Sequence, residues 1–543
     1  MVSIFDWLKG KRTYVPQKQP EYKITSSITL NTKHLSEIFN GIPEFVCKEL
    51  VLKNKNKAAI AYIDGLTDKV LINRDIIRPL LYEEWDEQYL FESSISMGTV
   101  KKNGDWREIE QAILSGKTVL FVDGISYVLV LETQGWPQRS IQESKVEPDV
   151  KSAHQGFTET ASQNIAMIRR YIPSTELKVK TCTVGKRGQV NISILYIADV
   201  VNISVLQKVE KRIKKIDVDT ILNTGELEQF IEDDPYSQFP QLTITERPDT
   251  TASHLLQGRV TIVVDRSPGV LIGPMTLTSF FQTTDDYSIR WLVSSFVRML
   301  RFVGAIIAIF APALYIALVS FHYEVIPLRL LLTIAESRER VPFPPLIEAL
   351  IMELVLEMLR EAAIRLPAPV GQTIGIVGGI VIGQAAVQAG LVSNIMVIVV
   401  AITAISSFIL PNLELGAGIR LIRFPIMLLA SVLGMVGIVA GVMTLVIHLL
   451  ASVLGMVGIV AGVMTLVIHL LASVLGMVGI VAGVMTLVIH LLALESLGTP
   501  YGSPVSPLRL RNMKDTFVRL PVWLQKNRPE SVGSQQIKKE GRK

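Results

Sequence analysis

Cysteine is close to absent: Cys47 and Cys182 are the only two in 543 residues. That excludes a disulfide scaffold and a cysteine-rich metal site, and leaves two reduced thiols as the expectation. Histidine is scarce too, seven in all, and nothing in its distribution calls for a metal or another cofactor. The opening stretch, MVSIFDWLKGKRTYVPQ, has no apolar core of signal-peptide length, so the N-terminal region is expected in the cytoplasm. Lysine disappears between residues 302 and 492, and residues 430–492 carry no charge of either sign. Lipid, not water, is the natural solvent for such a run. The net charge of +5 is too small to argue for a nucleic-acid partner.

The uncharged run is one 21-residue phrase, ASVLGMVGIVAGVMTLVIHLL, written three times from Ala430, Ala451 and Ala472 without a mismatch. As a single helix the three copies would extend roughly 95 Å at 1.5 Å per residue. The hydrocarbon core is only ~30 Å thick, so the run must break. The polar points His448–Ser452 and His469–Ser473 are the expected places. The regular spacing of His448, His469 and His490 reflects duplication, not metal ligation.

Before residue 290 the charge is mixed and the pattern differs. After a polar leader (residues 1–24), the stretches AAIAYIDGLTDKVLI (58–72), followed by a helical stretch near Asn73–Tyr82, and ISILYIADVVNISVLQKVEKRIKKI (192–216) each read as strand, turn, strand and then helix. KTVLFVDGISYVLVL (117–131) and GRVTIVVDRSPGVLI (258–272) form a second matching pair at a similar offset. β-Branched residues around Asp-Gly and Ser-Pro-Gly turns predict half-buried hairpin strands. Two α/β subdomains follow, at 25–140 and 155–285. The SGKT at Ser115–Thr118 imitates a phosphate-binding loop, but Gln111 stands where that loop needs glycine, and the segment opens a strand. Asp64, Asp123 and Asp265 read as turn acids. No Ser/His/Asp set or catalytic carboxylate pair emerges, so no enzyme is expected.

A membrane domain is expected at 291–493, followed by a basic cytoplasmic tail at 494–543. Residues 302–321 form a clean span, and 395–410 another. Between them, Glu353, Glu357 and Glu361 recur every four residues on one helix, with Arg360 and Arg365 placed to pair on the same face. That helix either lies at the membrane interface with its charges solvated, or turns them toward an aqueous vestibule or a neighbouring subunit. Gly375, Gly379 and Gly383 give the next segment a small-residue packing face. Gln372, Gln384 and Gln388 are polar at membrane depth, suited to interhelical hydrogen bonds or to a pore lining. Asn412–Arg420 reads as a loop. The fold class expected is an α/β cytoplasmic N-terminal region of two similar subdomains plus an α-helical multi-pass membrane domain.

Several stretches are specific enough to carry a resemblance: QNIAMIRR (163–170), DDPYSQFPQLTITERPD (233–249), GRVTIVVDRSPGVLIGP (258–274), DDYSIRW (285–291), the segment from VPFPPLIEAL to QAGLVS (341–393), and GTPYGSPVSP (498–507). From about Ser26 to Leu524 the chain resembles the A subunit of GerA-type spore germinant receptors. The resemblance implies a protein of the spore inner membrane with both termini cytoplasmic. It also implies a transporter-like B subunit that binds the nutrient, a lipoprotein C subunit, contact with membrane lipid, and assembly of the A subunit as a homo-oligomer. The implied role is a nutrient-gated cation channel that triggers germination. The alternatives are a scaffold coupling a nutrient-binding partner to a separate channel, and the sporulation paralogue associated with dipicolinic-acid release. The family carries one copy of the phrase found here three times.

Overall fold

The structure is a computed structural model that describes residues 24–53, 55–82, 100–135, 155–235, 237–367, 378–379, 381–442, 495–496 and 499–500. The chain divides into two compact units, Met1–Gln138 with Pro173–Thr175, and Arg139–Ile172 with Glu176–Lys543. The leader, the basic tail and copies two and three of the repeat, with the two breaks expected there, lie outside the described residues.

The first unit is built on α1 (Ile28–Ile38), β1 (Phe45–Val51), β2 (Lys57–Ile63), a helical stretch from Lys69 to Tyr82, β3 (Val100–Asn103), α2 (Trp106–Leu114), β4 (Thr118–Val122) and β5 (Val128–Leu131). Its strands form one antiparallel sheet in the order β1-β2-β4-β5-β3. Strands β4 and β5 are buried along their whole length and β2 along nearly all of it, not half-buried as the sequence pattern predicts. Helices cover both faces. Ile72, Ile76 and Leu80 of the helical stretch pack on Ile60, Leu120 and Leu129, while Trp106 of α2 stacks on Phe121 from the other side. A strand covered twice has no polar face to alternate.

The second unit begins with the same design: α3 (Ala161–Tyr171), β6 (Leu177–Val184), β7 (Val190–Ile197), α4 (Ile203–Lys215), α5 (Thr224–Ile231), β8 (Thr243–Thr245), α6 (Pro248–Leu256), β9 (Val260–Val264) and β10 (Val270–Gly273). The sheet order is β6-β7-β9-β10-β8, the first sheet's connectivity repeated. Small polar details repeat as well. Asn31 Oδ1 accepts from the Thr25 N–H (3.2 Å) and its Nδ2 donates to the Thr25 carbonyl (2.6 Å); Asn164 does the same to Thr158 at 2.7 and 2.6 Å. Asp123 accepts from the Ile28 N–H at 3.1 Å, and Asp265 from the Ala161 N–H at 3.2 Å. These turn acids therefore satisfy the first N–H groups of α1 and α3. Cys47 and Cys182 are free, and burial, with Glu49 alongside, pushes the Cys47 thiol up to about 11.

The same unit continues into α7 (Trp291–Ser320), α8 (Leu328–Arg338), α9 (Pro345–Arg365), α10 (Asn394–Phe408) and α11 (Leu413–Leu433). Two of these, α7 and α11, are long and apolar enough to cross a membrane. A helix of α7's length runs about 45 Å. Its buried side is made of small residues, Gly304, Ala305, Ala308 and Ala313, which lets α10 and α11 come close. A Cβ at Gly304 would already sit 3.3 Å from the Ser406 carbonyl oxygen.

Two sequence expectations are corrected here. The second strand expected after the turn in 58–72 and in 192–216 is helix instead, Lys69–Tyr82 and Ile203–Lys215, because Asp68 accepts the Val70 N–H at 2.8 Å and Asn202 the Ser204 N–H at 3.1 Å and each starts a helix. Asn412–Arg420 is not a loop: the Asn412 side chain caps α11 by accepting the Leu415 N–H at 2.8 Å, and the helix starts at Leu413. Gly416 and Gly418 look like loop glycines, yet Gly418 is there because a side chain would strike the Gln238 carbonyl. The first copy of the repeat has a helix end at Gly434 (φ +60°), a feature the sequence pattern does not single out. Residues 435–442 are helical again, and Gly437 lies so close to the Leu429 carbonyl that no side chain fits. The phrase ASVLGMVG thus encodes a helix end and a close return.

Candidate functional site

The carboxylates of α9 meet the arginines of α11 inside the helical bundle. Glu353 is 1% exposed and Arg423 2%, and their side chains form an ion pair. Glu357 accepts from Arg360 at 2.7 Å and pairs with Arg420 at 3.1 Å. Arg360 also donates to Ser407 Oγ at 3.2 Å and lies over the Phe408 ring, 4.8 Å from its centroid. Glu361 keeps only its exposed helical neighbour Arg365, at 2.6 Å. Along the stripe Glu353 is buried, Glu357 half-buried and Glu361 exposed. The face opposite, with Leu354 and Met358, is the exposed one. In lipid that polarity is favourable, since the bundle interior is where charges can find partners.

Arg423 has a second task that the sequence explains. Pro312 interrupts α7 and has no N–H, which leaves the Ala308 carbonyl without its usual partner one turn back. Arg423 Nε donates to that carbonyl at 2.7 Å. One guanidinium therefore joins α7, α9 and α11. A parallel knot joins α8, α9 and α10: Arg338 pairs with fully buried Glu348 at 3.2 Å, and Glu348 accepts the Ser393 N–H at 3.0 Å.

Where the second α/β subdomain hands over to α7, a third charged knot appears. Asp286 accepts from Arg298 at 3.1 Å and from Arg301 at 2.9 Å. Arg298 is wholly buried, and Arg301 also donates to the Phe281 carbonyl at 3.0 Å.

A different arrangement occupies the space between α5 and the start of α11. Glu228 is 7% exposed and its Oε1 has no hydrogen-bond partner. Burial first, then the Glu414 and Glu232 charges, hold its carboxyl up at about 8. Burial and the same Glu414 charge hold Glu232 at about 7. A carboxyl whose folded pKa exceeds its unfolded value stabilises the fold fully below pH ~4.5, and that contribution drains away as pH climbs through 7–8. Glu228→Gln is expected to flatten this decline and to add about 2 kcal/mol at pH 8.5. Thermal unfolding of wild type and variant from pH 5 to 9 checks it; parallel curves would refute it.

The other residues singled out from sequence separate into two groups. Gln384 and Gln388 are exposed on a helical segment at 381–388; a Cβ at Gly383 would sit 3.9 Å from Val397 Cγ1, and one at Gly379 would meet nothing within 4 Å. Gln372 and Gly375 lie outside the described residues. The SGKT segment ends α2 and opens β4, with Lys117 paired to Glu132 at 3.2 Å. Sequence reasoning missed Arg420 and Arg423, although two arginines three apart in an otherwise apolar segment are themselves a signal. It also missed Asp286 and Glu228, whose partners, or lack of them, are set only by tertiary packing.

These features define a class: two α/β units of one design, the second of which continues into a helical bundle with two helices of bilayer length. The family described as Bacillus/Clostridium GerA spore germination protein matches residues 33–456 and 455–531, and the chain belongs to that family. It is 37% identical to spore germination protein KA of Bacillus subtilis (strain 168) over 533 residues, 97% of this chain and 90% of that one. It is 36% identical over 510 residues to the uncharacterized membrane protein YfkQ of the same organism, 93% of this chain and 91% of that one. Among solved structures, the N-terminal domain of the A subunit of the Bacillus megaterium spore germinant receptor GerK3 is similar at 30% identity, over 47% of this chain and 98% of that one, with a TM-score of 0.38.

Proposed function

We propose that this chain is the A subunit of a nutrient germinant receptor, a nonenzymatic multi-pass protein of the spore inner membrane with both termini cytoplasmic. Its partners are a transporter-like B subunit that binds the nutrient and a lipoprotein C subunit. Several copies assemble around a cation pathway that opens when nutrient binds, and the released ions trigger germination. The observation that carries this reading is the outward face of residues 381–388. Gln384 and Gln388, one turn apart, are exposed beside the small residues Ala385 and Ala389. An amide facing hydrocarbon without a partner is costly, and a face of small residues suits close helix packing. A second copy, with water between the copies, satisfies both demands.

The test is conductance of the receptor reconstituted with its B and C subunits in liposomes. Gln384→Leu is expected to reduce nutrient-evoked potassium flux several-fold while the complex still assembles. Unchanged flux in both Gln384→Leu and Gln388→Leu would move the pathway off this face. That result would favour a scaffold that couples the nutrient-binding partner to a separate channel.

A further inference from the structure

The space between α5 and the first turn of α11 is a cavity of about 750 Å³. That is within the size range of small-molecule sites, about 300–1,000 Å³. Four carboxylates line it, from Glu226, Glu228, Glu232 and Glu414, and among the described residues no lysine or arginine does. Phe239 supplies an aromatic wall. Glu228 and Glu232 stand one helical turn apart, a like-charge spacing that destabilises a helix, and Glu414 adds a third charge at the exposed mouth. The nearby charges offer no relief. Glu226 is turned to the Leu222 N–H at 2.8 Å. Asp233 is held by Lys208 at 2.8 Å and by Arg212, and Asp234 adds further negative charge. On α11 the guanidinium of Arg420 is engaged by Glu357.

We propose that this cavity binds a small organic cation, whose ammonium or guanidinium group is received by the buried Glu228 carboxylate and by Glu232, with Glu414 at the entrance. Glu228 lines the cavity, its side chain is nine-tenths buried, and its Oε1 has no hydrogen-bond partner, so this carboxylate is the feature that asks for a donor from outside the chain. A metal ion is the weaker fit, because among the described residues no three His, Cys, Asp or Glu side chains come close enough to hold one. An organic cation spans a wider gap, donates several hydrogen bonds and stacks on Phe239. The raised carboxyl pKa values add a direction: binding strengthens as pH rises and the two groups ionise. This proposal is independent of the conduction reading, since it concerns the second α/β unit and its junction with α11.

The probe is agmatine, which carries a guanidinium at one end and an ammonium at the other. Full-length protein in detergent micelles at pH 8.5 is titrated with agmatine, with 1,4-butanediol as the uncharged control and potassium chloride matching ionic strength. Agmatine is expected to raise the melting temperature and to bind in calorimetry, more tightly at pH 8.5 than at pH 6; butanediol does neither. The Glu228→Gln/Glu232→Gln double variant is expected to melt higher than wild type without ligand, because repulsion is relieved, and to lose at least roughly tenfold in agmatine affinity. Equal agmatine binding by wild type and double variant would overturn the proposal. So would no binding by wild type together with loss of co-purifying B or C subunit from the double variant, which would assign the cavity to a basic side chain of a partner protein.

Discussion

Arg423→Ala is expected to cost the helical bundle about 3–5 kcal/mol, the usual penalty for breaking a buried ion pair from one side. Glu353 would lose its counter-ion in a place that is 1% exposed, and the neighbouring cations among the described residues, Arg420 and Arg360, are already committed to Glu357. The Ala308 carbonyl would also lose the Arg423 Nε donor, and Pro312 has no N–H to replace it. The measurement is thermal unfolding of the detergent-solubilised protein, alongside its abundance in the membrane. A loss under about 1 kcal/mol, the scale of an exposed pair, would mean that this ion pair is solvated.

A finer test separates the two jobs of that guanidinium. Replacing both partners, Glu353→Leu with Arg423→Leu, removes the stranded charge and is expected to be milder than Arg423→Leu alone. The residual deficit is the unmet Ala308 carbonyl, about 1–3 kcal/mol. Adding Pro312→Ala restores a backbone N–H to α7 at the position that carbonyl needs. The double-mutant cycle between positions 312 and 423 is therefore expected to show coupling of about 1 kcal/mol or more. Additive effects would show that the arginine is held for Glu353 alone.

Much of the fold was legible because the soluble strands are short apolar runs bounded by Asp-Gly turns, and because the same run-turn-run pattern occurs twice. What periodicity does not reveal is the second cover of the sheet. Val119 and Leu120 are both buried because α2 lies on one face and Ile72, Ile76 and Leu80 on the other. In the helical bundle, the four-residue recurrence of Glu353, Glu357 and Glu361 correctly gives one stripe. Which way it faces depends on α11, whose first turns look like a loop by composition since glycine serves equally for turns and for close packing. Only the contact of Gly418 with Gln238 decides between those uses. Glu228 was illegible for a related reason: nothing in TGELEQFIED distinguishes a solvated helix acid from one enclosed beneath another element.

Asp286→Ala is the second substitution with a large expected effect, again about 3–5 kcal/mol, and it acts at the handover from sheet to membrane helix. One carboxylate serves two guanidiniums there, and it also completes a capping box with Thr283: the Thr283 N–H reaches Oδ2 at 3.3 Å and the Thr283 hydroxyl reaches Oδ1 at 3.1 Å. Removing it takes the Asp286 carboxylate away from Arg298, which has no exposure at all, and loosens the short turn Thr284–Tyr287 that sets the entry of α7. Asp286→Asn keeps the shape and one acceptor but not the charge, so its loss is expected to lie between wild type and alanine. Arg301 is the partner closer to water, with other acceptors in Phe281 and Thr283. Arg301→Gln is accordingly expected to cost less than Asp286→Ala, and to leave Arg298–Asp286 as a balanced pair. Unfolding curves for the three variants, read beside limited proteolysis between residues 282 and 290, decide the matter. If alanine at 286 proved no worse than glutamine at 301, the knot would not be what fixes α7 to the second sheet, and the coupling between the second α/β unit and the bundle would have to run through Gly418 and the loop at Gln238.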